Sequence, residues 1–142
     1  QLIFARWAMV MFNFERKMYA NPEQDLNALW WELVEKYQGV QKPAGRDEPD
    51  WAAKIHVALY PAYYHNYLLG ELLASQFHHT LVYDALENVQ PDSISYVGKP
   101  AVGHFFREKV FEPGNRYPWN EMIEKATGES LNPQYFVDQF VN

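Results

Sequence analysis

Residues 64–82 read Tyr64-His65-Asn66-Tyr67-Leu68-Leu69-Gly70-Glu71-Leu72-Leu73-Ala74-Ser75-Gln76-Phe77-His78-His79-Thr80-Leu81-Val82. With about 100° of rotation per residue, Tyr64, Tyr67, Glu71, Ser75 and His78 fall on one narrow stripe of a helix. The rest is largely apolar: Leu68, Leu69, Leu72, Leu73, Ala74 and Phe77. A helix apolar almost all round belongs inside a larger body. Its polar stripe must then face partners, water or a cavity, because an unpaired buried polar group costs a few kcal/mol. The plain reading of Tyr64 and Tyr67 is core tyrosines with satisfied hydroxyls. Glu71 and His78 are either a buried polar pair or two metal ligands. Two ligands do not make a zinc site, which favours the pair.

Outward from this stretch the signals are helical. Pro61 is expected to open the long helix, which runs to about Glu87. A first helix is expected from the start to Met18–Tyr19. Asn21-Pro22 offers an N-cap and a proline at the first helical position, with Glu23 and Asp25 in the first turn. That second helix carries Leu26, Leu29, Trp30 and Leu33 and ends near Gln38-Gly39. Gln41–Pro49 is a polar loop, and Trp51–Leu59 a short connector. After a polar loop at 88–95, further helices are expected over Pro100–Phe111, Trp119–Ala126 and from Asn132-Pro133 onward. No strand alternation persists, so the fold class is all-α.

The 142 residues suit one segment of a helical domain. Aromatics make up 17%, with five Trp and ten Tyr, plentiful apolar surface for so short a chain. A net charge of −6 without a basic stripe argues against nucleic acid. The absence of cysteine removes disulfides and thiolate chemistry. The apolar run Leu2–Phe12 is too short to span a bilayer and lacks the basic start of a signal peptide. It reads as the middle of a helix that begins upstream. Leu2, Ile3, Phe4, Trp7, Met9, Val10, Met11 and Phe12 cover its whole circumference, so the isolated chain is expected to self-associate.

Lys54-Ile55-His56 is a second polar cluster. In an extended segment Lys54 and His56 point to one side. Lysine is a point cation for a carboxylate, and histidine can donate to a developing oxyanion. The alternative is a solvated lysine beside a core histidine.

Taken in order, these motifs resemble angiotensin-converting enzyme and its bacterial relatives, the peptidyl-dipeptidase family of zinc metallopeptidases. Leu29-Trp30-Trp31-Glu32-Leu33 with Lys36-Tyr37-Gln38-Gly39 resembles the family's WW…KYQG segment. Lys54-x-His56 and Tyr64-x-x-Tyr67 resemble its K-x-H and Y-x-x-Y, and Gln76-Phe77-His78 follows. Asp92-Ser93-Ile94-Ser95, Lys99 and Arg116-Tyr117-Pro118-Trp119 through Thr127-Gly128 resemble its closing segment. The resemblance implies an all-α C-terminal portion of a larger peptidase that releases dipeptides or short pieces from peptide C-termini. It implies that Lys54 and Tyr64 bind the substrate carboxylate and that His56 and Tyr67 hold the carbonyl oxygen. It also implies zinc, bound by an HExxH helix and a downstream glutamate. Neither is present here, so the metal ligands are expected upstream of residue 1 in the same polypeptide, and the segment alone is expected to be inactive. Asn66 stands where the animal enzymes place an arginine that helps bind chloride, which argues against chloride activation of that type. An extracytoplasmic location is implied by the resemblance alone. Two alternatives remain: a non-catalytic helical interaction module on the same fold, and a related helical carboxypeptidase.

Overall fold

The computed structural model describes residues 1–86 and 94–141. The described residues contain helices and turns and no strand, so the class is all-α. Two compact units divide the chain, Gln1–Leu69 and Gly70–Asn142.

In the first unit, α1 (Leu2–Ala20) and α2 (Leu26–Gln38) form a hairpin. Val10, Met11 and Phe14 of α1 are buried against Leu29, Trp30, Leu33 and Val34 of α2. The three- and four-residue spacing lays each set along one face. Trp30 takes Phe14 edge-on at 5.2 Å and Trp7 edge-on at 5.7 Å. Such geometry adds about 0.5–1.5 kcal/mol per pair beyond area burial.

The start of α2 differs from the sequence expectation. Asp25, not Asn21, is the N-cap, and its carboxylate accepts from the Ala28 N–H at 2.9 Å. Asn21 instead follows the end of α1, where its N–H donates to the Lys17 carbonyl. Both residues suit a cap, and the carboxylate within reach of the free N3 amide decides. Gly39, at φ 69°, closes α2 in the left-handed region.

A 3-10 turn, Asp50–Ala53, is tied to α2 by the Trp51 indole N–H donating to Asn27 Oδ1 at 3.0 Å. The helical turn α3 (Ile55–Ala58) follows, and then α4 (His65–Thr80), which the unit boundary crosses. The long helix therefore opens at His65 rather than Pro61. Ala62, at φ 55°, interrupts it, and Tyr64 lies in the entry turn.

In the second unit, α4 is extended by a π turn over Leu81–Ala85, and Glu87 falls outside the described residues. Most of the expected loop at 88–95, with Asp92 and Ser93, also lies outside them. Pro100–Phe111 is not one α-helix. It is α5 (Pro100–Phe106) followed by a π turn over Arg107–Phe111. Then come α6 (Trp119–Thr127), closed by Gly128 at φ 87°, and α7 (Gln134–Phe140).

The buried side chains of α4 itself are polar: Ser75, Gln76 and Thr80. Its leucines are only half-buried. Gln76 is wholly buried and holds the α6–α7 connection. Its amide donates to Thr127 Oγ1 at 2.8 Å and to the Ser130 carbonyl at 3.2 Å, and its oxygen accepts from the Asn132 N–H at 2.9 Å. A polar side chain wholly removed from water is favourable here because partners in the fold replace it.

Gln76→Leu keeps the volume and orphans these partners. The expected loss is about 2–4 kcal/mol, because several buried groups lose a partner at once. Urea unfolding of the chain measures it, and an unchanged midpoint would refute the clamp.

Candidate functional site

The four residues singled out in the sequence all lie in the first unit. The segment carrying Lys54 and His56 is not extended throughout. Lys54 alone is extended, at φ −83° and ψ 113°, and its carbonyl accepts from Val57 and Ala58 to start α3. His56 sits on that helical turn, so the alternation argument does not explain its direction. The preceding turn is anchored where Trp51 packs against Phe14 at 5.6 Å between ring centres.

His56 and the two tyrosines form one cluster. Its Nε2 lies 3.1 Å from the Tyr67 hydroxyl. Which group donates depends on the imidazole tautomer. Tyr64 meets the His56 ring edge-on at 4.8 Å and lies 5.1 Å from the Tyr67 ring. Phe4 of α1 touches both phenols, at 6.3 and 6.4 Å. Tyr67 is 41% exposed, so its hydroxyl remains reachable.

Lys54 is held differently. Its ammonium lies 5.3 Å from the centre of the Trp7 ring and 5.9 Å from that of Trp30. Both are within cation–π range. Among the described residues it makes no ion pair. Nearby, Arg46 is committed to Asp50, with Nε 2.8 Å from Oδ2 and 3.1 Å from Oδ1. This contact holds the Asp50 carboxyl below its ordinary range. A cavity of about 450 Å³ opens beside Lys54, walled by Trp7, Trp30, Trp31, Val34 and Arg46.

Trp7 joins the two halves, and sequence reasoning passed it over as one more apolar residue in the opening run. Its indole N–H acts on the Tyr64 phenol while its ring carries Lys54. Burial pushes the Tyr64 phenol above its ordinary value, the Trp7 N–H opposes that, and a Tyr67 phenolate would add to it. Tyr64 therefore stays a neutral hydroxyl at neutral pH. The arrangement offers a cation, hydroxyl groups and an imidazole, which suit a carboxylate and an oxygen gaining negative charge.

Glu71 and His78 lie in the second unit. His78 Nδ1 hydrogen-bonds the Tyr96 hydroxyl. His79 sits 4.4 Å from both the Tyr83 and Tyr135 rings, beside a cavity of about 140 Å³ lined also by Ser75 and Asp138. No group of three His, Asp or Glu side chains among the described residues is placed to hold a metal ion. No helix among them is long and apolar enough to cross a membrane.

The protein family described as angiotensin-converting enzyme matches residues 2–140. The chain is 33% identical over 119 residues to the angiotensin-converting enzyme-like protein Ace3 of Mus musculus, an alignment covering 80% of this chain and 16% of that protein. It is 28% identical over 139 residues to thermostable carboxypeptidase 1 of Pyrococcus furiosus, covering 91% and 26%. With the angiotensin-converting enzyme of Sus scrofa it shares 32% over 114 residues, covering 78% and 9%. The chain thus spans about a quarter or less of the length of these relatives. No solved structure gives a significant match. The chain belongs to the angiotensin-converting enzyme family, a family of zinc metallopeptidases.

Two outcomes follow from this geometry. Trp7→Phe removes the N–H that favours the Tyr64 phenolate, so the Tyr64 midpoint should move further up, read by NMR of ring-labelled tyrosine. The neutral phenol is the form the fold prefers, so the contribution of Tyr64 is intact below pH 10 and is lost as pH rises through its raised midpoint. A downward move on Trp7→Phe would contradict this influence of the indole N–H. Separately, elemental analysis of the dialysed chain should find well under one zinc per molecule. One tightly held zinc would point to Glu71 and His78.

Proposed function

We propose that this chain supplies the substrate-facing residues of a zinc metallopeptidase that releases dipeptides or short pieces from peptide C-termini. The observation that carries the reading is the His56–Tyr67 hydrogen bond at 3.1 Å with Tyr64 packed edge-on against the same imidazole. Three side chains chosen for their chemistry converge on one spot, and Trp7 ties the fourth, Lys54, to them.

In this reading Lys54 and Tyr64 bind the terminal carboxylate of the peptide. The ammonium supplies charge, and the hydroxyl supplies direction. Resting over two indoles, Lys54 stays close to the site, and the nearest carboxylate it acts on, Asp50, is held by Arg46. Tyr67 and His56 donate to the scissile carbonyl oxygen as it gains negative charge. Their mutual hydrogen bond holds the two groups side by side before substrate arrives, and it gives way as the carbonyl oxygen takes over as acceptor.

The residues present do not fit a zinc site, because none of their His, Asp and Glu side chains group as ligands among the described residues. The metal ligands are assigned to other parts of a longer polypeptide, which is the partner this reading requires. Asn66 is uncharged and exposed, so activation by chloride in the manner of the animal enzymes is not expected. A second reading, release of single C-terminal residues, draws support from the similarity to a carboxypeptidase over 91% of the chain. Both readings use the same four residues. Product analysis on a short peptide separates them, by whether dipeptides or single amino acids appear.

In the full-length enzyme, Tyr67→Phe should lower kcat by about 100-fold or more with a smaller change in KM, since an oxyanion donor acts mainly in the transition state. Lys54→Ala should instead raise KM, because the substrate carboxylate is charged throughout. C-terminally amidated peptides should be poor substrates of the wild type, and Lys54→Ala should scarcely distinguish them from free acids. Near-normal kcat in a folded Tyr67→Phe enzyme would sink the assignment.

A further inference from the structure

The tyrosines reach His56 through the turn between α3 and α4. Within it, Ala62 adopts φ 55°, and among the described residues it is the non-glycine residue with positive φ. A side chain in this region costs about 1–2 kcal/mol, so something must hold it. The Ala62 N–H donates to Glu15 Oε1 at 2.7 Å, across 47 residues of sequence. Glu15 lies on the buried face of α1 beside Met11 and Phe14 and is 4% exposed. Among the described residues it has no cationic partner. Its charge also reaches the Tyr19 phenol, which burial first and then this carboxylate push above its ordinary value. An anion removed from water is expensive unless donors aim at it. Its use here is to fix one backbone amide. That amide lies two residues before Tyr64 and five before Tyr67. Further along, the Asn66 N–H donates to the Tyr63 carbonyl and the Tyr67 N–H to the Tyr64 carbonyl, which carries the turn into α4.

We propose that Glu15 is a positioning residue: by holding Ala62 in its left-handed turn, it sets Tyr64 and Tyr67 against His56. Helix α1 thereby controls the geometry of the donor pair from outside the reacting atoms. The structural half stands by itself, and the kinetic half rests on the oxyanion role proposed for Tyr67.

The test uses the full-length enzyme and separates those halves. In Glu15→Ala, hydrogen–deuterium exchange over residues 60–67 should quicken by about 10-fold or more, the loss of one hydrogen bond to a charged acceptor. The kcat should fall by about 10-fold or more with KM nearly unchanged, because displaced donors fail in the transition state. Adding Ala62→Gly should restore much of the kcat, since glycine takes the left-handed conformation without steric cost, while the amide at 62, still without its acceptor, exchanges fast. Unchanged exchange in Glu15→Ala would overturn the proposal. Faster exchange with wild-type kcat would uphold the clamp and overturn the role of Tyr67 instead. Should Glu15→Ala fail to fold, the double variant carries the test. A recovered fold with wild-type kcat supports the clamp acting through Ala62, and a recovered fold with kcat still depressed overturns it.

Discussion

Trp30 stands between Trp7 and Phe14, edge to each, and the first unit depends on that seam. It joins α1 to α2, and it also reaches the site from two sides. Phe14 carries Trp51, which anchors the 3-10 turn leading into Lys54. Trp7 and Trp30 together carry the Lys54 ammonium. The apolar core and the polar site are therefore not separate layers. The rings that exclude water from the hairpin are the rings on which the cation rests, and the N–H of one of them acts on the neighbouring phenol. A substitution in this seam would be felt as lost stability and as a displaced cation together.

The second unit solves a different problem. Around α4 its fully buried side chains include an amide and two hydroxyls, and Gln76 spends its hydrogen-bonding capacity on the chain between α6 and α7. Such a clamp specifies one connection where leucine would specify only burial. Phe77, packed edge-on against Phe105 and Phe106, supplies the apolar part beside it. Glu15 in the first unit works on the same principle: a buried polar group whose partner is backbone far along the chain.

That shared device explains what could be read from the sequence and what could not. The helices were legible because apolar positions recur at helical spacing, and α1, α2 and α6 lie close to where periodicity puts them. Lys54, His56, Tyr64 and Tyr67 were legible as a set through their order along the chain. The start of α2 was misplaced because Asn21-Pro22 and Asp25 carry equally good local signals, and only the approach of a carboxylate to Ala28 separates them. The start of α4 was misplaced for a stronger reason. Ala62 has no intrinsic preference for positive φ, so its conformation is set by a carboxylate on another helix. Glu15 did leave a faint signal, an acid four residues after Met11 and three before Met18 on an apolar face. Trp7 left none, since an indole in an apolar run looks like any other core residue until its N–H is located.

The resting place of Lys54 has an optical consequence. Indole emission responds to the electric field across the ring, and a cation over the ring is a strong local source of field. Trp30 is nearly fully buried, whereas Trp119 stands in solvent. Any event that draws the ammonium off Trp7 and Trp30 therefore changes the colour of those two indoles, against a background from Trp31, Trp51 and the solvent-exposed Trp119. The residue pair that stores the cation also records its departure, without any added label.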